Sequence, residues 1–335
     1  MTLIFNSFAH FLVDAICVST LFAAGAEGEL LTLGVILYNT LAFSTQCLVG
    51  LLLDNIKHGK AFNLTAMLTV VLGYLLPLPF LLRVCAVGVG NSFFHVAAGT
   101  MTLRQGRGKA RDLGVFVAPG AFGVTLGTCF PMYGTVLSIL LILCTAAMAF
   151  LPDAAYSDRA EKVQCETRYP LLPILLLTAA VAVRAIGGSA AEFPWKSGAG
   201  AAFLMTAFVF LGKFLGGFVC DRIGAKRTAL FSIPAAAVCI AFLSDYAAPS
   251  LVGQLLLNLS MPVTLWLLYL AMPDSPAFAF GLAASALWPG TIAGMLFHLT
   301  GPARWCCILA SFLFGLFAIL FSVKKIHNIF GGFTQ

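Results

Sequence analysis

Long runs of apolar residues, separated by short polar connections, follow one another along almost the whole sequence. Twelve such runs can be placed: 3–24, 30–53, 61–77, 80–103, 112–130, 133–151, 170–191, 198–219, 228–244, 249–272, 276–298 and 302–323. Most are close to the ~20 residues that an α-helix needs to cross a bilayer, and all exceed the ~10 residues of a membrane β-strand. Because lipid offers no partner for backbone polar groups, each run is predicted to be a transmembrane helix.

One connection, residues 152–169, is much longer than the others and lies in the middle of the chain. It separates six apolar runs from another six. The sequence therefore predicts an all-α integral membrane protein with two six-helix halves. The expected boundaries are an N-terminal bundle over residues 1–151, a cytoplasmic linker over 152–169 and a C-terminal bundle over 170–335.

The two halves carry matching residues at a constant spacing. Four pairs of identical residues are 167 positions apart: Gly50 and Gly217, Asp54 and Asp221, Asn91 and Asn258, and Gly114 and Gly281. With a slip of three positions, Asp14 corresponds to Arg184. The spacing indicates a parallel internal repeat, an arrangement that places substrate between the halves near the middle of the membrane.

The composition agrees with a membrane protein, because 60% of the residues are hydrophobic and only 10% are charged, against about 25% charged in soluble domains. The net charge of +6 comes from short connections rather than from one polar face, so it does not indicate a nucleic-acid partner. The ten cysteines form no C-x-x-C pair. They are predicted to be small buried hydrophobes rather than disulfides or metal ligands.

Basic residues predict the orientation in the membrane. With both termini in the cytoplasm, most of them fall on the cytoplasmic side: Lys57, Lys60, Arg104, Arg107, Lys109, Arg111, Arg159, Lys162, Arg168, Arg222, Lys226, Arg227, Lys324 and Lys325. Only Lys196 and Arg304 then lie in external connections. The first external connection of the chain, between the first two runs, is acidic because it contains Glu27 and Glu29. We expect a multi-pass protein of the plasma (bacterial inner) membrane with cytoplasmic termini.

Several stretches resemble known transporters. The turn at 217–227, G-F-V-C-D-R-I-G-A-K-R, resembles the complete cytoplasmic loop signature of the major facilitator superfamily, and its copy at 50–60 has Asn55 where the signature prefers arginine. The stretch 114–123, which contains Pro119 and Gly120, resembles the Gly/Pro-rich motif of antiporter members. Residues 10–14 and 88–95 are similar to the fosmidomycin-resistance branch of efflux proteins.

The resemblance implies a cytoplasmic latch that holds the two halves together when the transporter opens outward. Its residues would be Gly50, Asp54, Gly217, Asp221, Arg222, Gly224, Lys226 and Arg227. Gly217 would allow close helix contact, and Asp221 would face the positive end of a helix, while the basic residues lie among anionic headgroups. The alternative is a basic loop that serves only to set topology.

Ionisable residues inside a membrane cost at least ~2.5 kcal/mol each and are therefore candidate functional sites. In the superfamily fold, helices one and four line the central cavity, which would gather His10, Asp14, Asn91 and His95. We predict that Asp14 is a proton acceptor whose proton the histidines can share. Arg83, roughly 12 Å further outward along its helix, is a candidate electrostatic partner in proton coupling. The alternatives are a permanent structural network and a divalent metal site formed by the two histidines and Asp14.

The substrate-binding candidates are Arg184, Asn91, Gln254, Asn258 and Trp288. Arg184 is expected either to anchor an anionic substrate or to pair with Asp14. Lys213 is expected to extend towards the lipid headgroups. The basic residues within the helices outnumber Asp14, which favours an anionic or zwitterionic substrate.

The sequence thus predicts a secondary transporter that works by alternating access, with proton-coupled export of a small organic compound. It would act as a monomer in the bilayer. No nucleotide-binding loop, catalytic site or cofactor is predicted, which argues against an ATP-driven pump and against an enzyme. The alternatives are an uptake symporter of the same fold, a metal-ion transporter that uses His10, Asp14 and His95, and a non-transporting scaffold or receptor.

Overall fold

A computed structural model of the chain describes residues 1–23, 25–56, 59–106, 109–151 and 170–330. The predicted linker lies outside this part. Within it the regular structure is helical: α1 (Thr2–Ala23), α2 (Gly28–Asn39), α3 (Gln46–Asn55), α4 (Gly59–Leu75), α5 (Phe80–Gln105), α6 (Ala110–Val117), α7 (Pro119–Cys129), α8 (Gly134–Ala149), α9 (Leu171–Ser189), α10 (Gly198–Ile223), α11 (Ala225–Phe242), α12 (Ala247–Ala271), α13 (Pro276–Ser285), α14 (Trp288–Leu296) and α15 (Gly301–Phe330).

The helices coincide with the predicted apolar runs. By length and composition, eleven helical stretches of the described chain could cross a membrane, and α4, with 17 residues, is a shorter apolar helix. Many large apolar side chains, such as Leu143 and Leu171, are exposed on the outside of the bundle, where lipid would cover them. The all-α membrane architecture predicted from the sequence is confirmed.

Three of the predicted runs are each divided into two helices. A π-helix at Thr40–Ser44 separates α2 from α3, and π-helical segments of this kind are frequent at functional sites. The break between α6 and α7 comes at Pro119, and that between α13 and α14 precedes Pro289. Proline lacks the backbone N–H that would continue a helix, and in both of these runs a proline lies at the start of the second helix. Helices α11 and α12, in contrast, continue through Pro234 and Pro262.

The halves contact each other at one end of the bundle through two carboxylates. Asp221, near the end of α10, accepts hydrogen bonds from the backbone N–H groups of the first two residues of α6, at 2.8 and 3.1 Å. Asp54, near the end of α3, accepts the same pair of bonds from Ala277 and Phe278 at the start of α13, at 3.0 and 2.8 Å. A carboxylate at a helix N-terminus satisfies free N–H groups and favours the helix dipole.

The glycines of both turns permit this contact. A Cβ added at Gly217 would overlap the backbone of Ala110, and one added at Gly50 would overlap the backbone of Ala277. Gly224, which joins α10 to α11, has a φ of 86°, a conformation that favours glycine. The remaining predicted latch residues, Arg222, Lys226 and Arg227, are exposed at the same end. We call this region the Asp54–Asp221 end.

Replacing Gly217 with alanine is expected to separate α10 from α6, because the added methyl group would overlap backbone that cannot rotate away. Overpacking of this kind costs about 1–3 kcal/mol, which would shift the population towards conformations opened at the Asp54–Asp221 end. Electron spin resonance distances between labels at the starts of α6 and α11 would report the change. Gly200→Ala on the same helix is the matched control, since its Cβ would meet nothing within 4 Å. Identical distance distributions in the two variants would contradict the expectation.

Candidate functional site

The structure brings four predicted polar residues of α1 and α5 together in a buried cluster. Asp14 lies at its centre, with one carboxylate oxygen 3.2 Å from His10 Nε2 and the other 3.6 Å from His95 Nε2. The Asn91 side-chain amide donates a hydrogen bond to Asp14 Oδ1 at 3.1 Å. His10 and Asp14 lie one helical turn apart, as their i and i+4 positions require.

Backbone carbonyls fix the orientation of both histidine rings. His10 Nδ1 lies 2.7 Å from the carbonyl oxygen of Phe116 on α6, and His95 Nδ1 lies 2.9 Å from the carbonyl oxygen of Asn91. With the Nδ1 atoms engaged, the Nε2 atoms of the two rings point at each other, 2.8 Å apart. The planes of the rings are nearly perpendicular, at 88°. The sequence did not indicate the contact with Phe116, because its partner is a main-chain atom.

Helix α7 packs directly against this cluster because it presents glycine to α1. A Cβ added at Gly120 would overlap both His10 Nε2 and Asp14 Oδ2, and one added at Gly123 would overlap the backbone of α1. Pro119 begins α7, so the Gly/Pro-rich stretch places Gly120 against the cluster. The physical role of the stretch is therefore to leave space beside the ionisable groups.

The three ligand types of the predicted metal alternative also meet here. One ligand atom each from His10, Asp14 and His95 lie within 4.8 Å of one another. Two nitrogens that bind one tetrahedral zinc ion at ~2.0–2.1 Å lie roughly 3.3 Å apart, whereas the two Nε2 atoms are separated by 2.8 Å. This is a hydrogen-bond distance, so the geometry favours a proton over a metal ion between the rings.

A cavity of about 430 Å³ lies between the halves and includes the cluster in its wall. It begins near Gln46, on the side of the Asp54–Asp221 end, and extends to Phe22 and Thr128, which are exposed towards the opposite end. Most of its lining is apolar. Arg184 on α9 and Lys213 on α10 place two cationic side chains in the same wall. The cavity therefore joins the His–Asp–His cluster of one half to basic groups of the other.

Arg184 lines the cavity and has no carboxylate partner among the residues that the structure describes. Its Nη1 donates a hydrogen bond to Ser260 Oγ at 2.9 Å, and no carboxylate of the described chain lies within the 4 Å of an ion pair with it. The alternative that Arg184 pairs with Asp14 is thus not realised in this conformation. A guanidinium removed from water without a counter-ion is costly, and an anionic ligand would relieve that cost.

Lys213 was expected to extend towards the lipid headgroups, but in the structure it lines the cavity. A Cβ at Gly212 or at Gly216 would overlap α12, so this face of α10 is packed and the neighbouring face carries Lys213 into the cavity. Gln46, 167 positions earlier, also lines the cavity and was not predicted. It is fully buried; its Nε2 donates to the carbonyl oxygen of Ala42 at 2.7 Å, and its Oε1 has no hydrogen-bond partner in the described chain.

The structure does not bring the other predicted residues into the cavity wall. Arg83 donates to the carbonyl oxygens of Gly73 and Tyr74 at the end of α4, at 3.4 and 2.7 Å. The Asn258 side-chain amide donates to the carbonyl oxygen of Gln254, at 2.8 Å. Trp288 Nε1 donates to Thr40 Oγ1 across the halves, at 3.1 Å. Asn91 reaches the site only through its hydrogen bond to Asp14.

Comparison with known proteins identifies the fold. No protein-family model matches the sequence, and no match is found among curated proteins. Among solved structures, the chain is similar to FucP, a major facilitator superfamily transporter in the outward conformation, with 14% identity, a TM-score of 0.68 and coverage of 95% of this chain and 97% of that one. It is also similar to a single-substitution variant of the E. coli fucose:proton symporter FucP, with 15% identity, a TM-score of 0.66 and coverage of 96% and 97%. The chain therefore has the fold of major facilitator transporters.

Proposed function

We propose that this chain is a secondary active transporter that works by alternating access and couples the movement of a small organic anion to protons. The observation that carries the proposal is the cavity between the halves, where a His–Asp–His cluster lies in the same wall as Arg184 and Lys213. The fold supports it, since the similar structures include a proton symporter. The chain would act as a monomer in the membrane, without a cofactor.

The charges around the cavity favour an anionic substrate. Arg184 and Lys213 contribute two positive charges, and Asp14 is the one acidic residue in the wall that the structure describes. The rest of the lining is mostly apolar, so charges in the cavity interact more strongly than they would in water. A ligand with one anionic group and an apolar body would match both features.

The same charges favour movement of the anion and the proton in the same direction across the membrane. A proton bound at the cluster makes the cavity more positive and therefore strengthens the binding of an anion. By linkage, the bound anion strengthens the binding of the proton to the same degree. This supports symport, and with the predicted orientation it supports uptake. Proton antiport with export is the second candidate, supported by the Gly/Pro-rich stretch at the cluster.

Flux measurements in proteoliposomes would test the proposal and separate the two candidates. We expect a panel of labelled organic anions to contain one that accumulates when the interior is alkaline, because the entering proton would bring the anion with it. Antiport would instead give accumulation when the interior is acidic. Sulfonates belong in the panel, since they do not cross lipid as neutral acids, and protein-free liposomes are the control. The absence of gradient-driven accumulation for every anion would contradict the proposal.

A further inference from the structure

We infer that the coupled proton is held between the Nε2 atoms of His10 and His95, while Asp14 remains an ionised carboxylate beside them. The inference rests on the proton coupling proposed above and assigns its carrier. It differs from the sequence prediction, in which Asp14 itself accepts the proton.

Two backbone carbonyls determine where the hydrogens lie on the two histidine rings. A backbone carbonyl oxygen can only accept a hydrogen bond, so the Nδ1 atoms that face Phe116 O at 2.7 Å and Asn91 O at 2.9 Å must both carry hydrogen. A neutral imidazole has one N–H group. If both rings were neutral, each Nε2 would present a lone pair to the other.

The two Nε2 atoms are too close for both to be unprotonated. Two lone pairs at 2.8 Å repel each other, whereas one additional proton converts the contact into an N–H···N hydrogen bond of ordinary length. The proton gives the pair of rings one positive charge, and Asp14, at 3.2 and 3.6 Å, supplies one negative charge. The cluster is then neutral as a whole, which is the favoured condition for a buried site.

The environment of Asp14 favours the ionised carboxylate. Asn91 donates a hydrogen bond to Oδ1, and the positive charge of the histidine pair lies 3.2 and 3.6 Å from the two carboxylate oxygens. Of the other titratable groups nearby, Cys17 on α1 and Tyr38 on α2 are uncharged, and Lys213 from α10 and Arg184 from α9 are positive. Towards the cluster, α6 contributes a carbonyl, α7 a glycine and α13 the ring of Phe280. The positive groups and the hydrogen bond from Asn91 favour the ionised carboxylate, and burial against the apolar groups opposes it.

The arrangement also connects the proton to the packing of two helices. Loss of the shared proton leaves two facing lone pairs next to an unbalanced carboxylate, and the rings would have to separate. His10 belongs to α1 and His95 to α5, so deprotonation would force these helices apart or rotate a ring out of its carbonyl contact. Both rings line the cavity, which gives the proton a route in and out.

Nitrogen NMR on histidine-labelled protein in lipid would test the inference directly. The chain has five histidines, so assignment by single substitutions is practical. We expect a nitrogen–nitrogen coupling between two Nε2 atoms across a shared hydrogen. The coupling should vanish in His10→Gln and in His95→Gln and persist in His298→Gln, a matched change at an exposed position beyond α14. Two uncoupled Nε2 atoms in the unmodified protein, at the pH of transport, would overturn the inference.

Two further measurements test the alternatives, namely a proton on Asp14 and a metal ion between the histidines. An infrared band of a protonated carboxylic acid that is lost in Asp14→Asn would place the proton on Asp14 and overturn the inference. Stoichiometric binding of Zn²⁺ or Mn²⁺ that requires both histidines and removes the coupling would overturn it in favour of a metal site. None of these measurements uses transport. A coupling without proton-driven flux would contradict only the proposed function, and proton-driven flux without a coupling would contradict only the shared proton.

Discussion

Asp14→Asn is expected to abolish substrate accumulation driven by a pH gradient while leaving substrate exchange at equal pH intact. Asparagine keeps the size of the side chain and can still accept the hydrogen bond from Asn91, but it removes the counter-ion of the protonated histidine pair. Removing one partner of a buried ion pair costs about 3–5 kcal/mol, and since one pKa unit corresponds to about 1.36 kcal/mol, the affinity of the histidine pair for the proton should fall at least ~100-fold. Accumulation and exchange measured in the same proteoliposomes would report the two activities.

The matched control is Asp245→Asn, which makes the same chemical change at an exposed position between α11 and α12. It should retain both activities. Full gradient-driven accumulation in Asp14→Asn would show that the cluster does not couple the proton. A loss of both exchange and accumulation, with the protein still folded, would instead indicate that Asp14 is needed for substrate binding or for the conformational change.

Arg184→Gln is expected to weaken the binding of an anionic substrate by roughly 10–100-fold, the equivalent of the ~1.5–3 kcal/mol of a hydrogen bond to a charged group. The affinity for a neutral analogue of the same shape should change little, because glutamine can still donate a hydrogen bond to Ser260. Calorimetry or competition of flux would give both affinities. Equal losses for the two ligands would contradict the assignment of Arg184 as an anion anchor.

Arg304→Gln is the corresponding control. Arg304 pairs with Glu192 at 2.7 Å on the surface and does not line the cavity, so its removal changes the total charge by the same amount without altering the site. Arg184→Lys adds a second comparison, since it keeps the charge but loses the planar group that binds a carboxylate through two hydrogen bonds. We expect its affinity for the anion to lie between those of the unmodified protein and Arg184→Gln.

The helices could be predicted from the sequence because lipid imposes a simple requirement on every one of them, namely a long apolar run with its backbone hydrogen bonds inside. The 167-residue spacing likewise predicted related positions for Asp54 and Asp221, and in the structure each accepts hydrogen bonds from an equivalent helix start. The π-helix at Thr40–Ser44 had no such signal, since its residues are ordinary for a membrane helix.

The candidate site was predicted in part. The residues that were missed or misplaced differ from the others in that their side-chain direction around the helix depends on how that helix packs. His10 and Asp14 are one turn apart on α1, so local periodicity alone places them together. Lys213 faces the cavity because glycines on the adjacent face pack against α12, and that neighbour is not visible in the sequence of α10. The spacing from Lys213 to Gln46 is also 167 positions, a signal that could have identified Gln46 as a cavity residue.

The other predicted residues that do not line the cavity form hydrogen bonds within their own helix or with the end of a neighbouring one. Asn258 and Gln254 were candidates for substrate binding because polar side chains in membrane helices need partners. They find them one turn apart on α12. Arg83 meets its requirement at carbonyl oxygens that the end of α4 leaves free. A sequence shows that such a residue needs a partner but not whether the backbone supplies it.

The reciprocal contacts of Asp54 and Asp221 give the Asp54–Asp221 end the character of an isologous dimer interface. Each half contributes one acidic residue and one helix start, as two identical subunits do across a twofold axis. Around the cavity this equivalence is lost, because Asp14 in one half corresponds to Arg184 in the other. The molecule thus combines a self-complementary surface, to which both halves contribute the same groups, with an asymmetric interior. In that interior one half supplies the carboxylate of Asp14 and the other the guanidinium of Arg184.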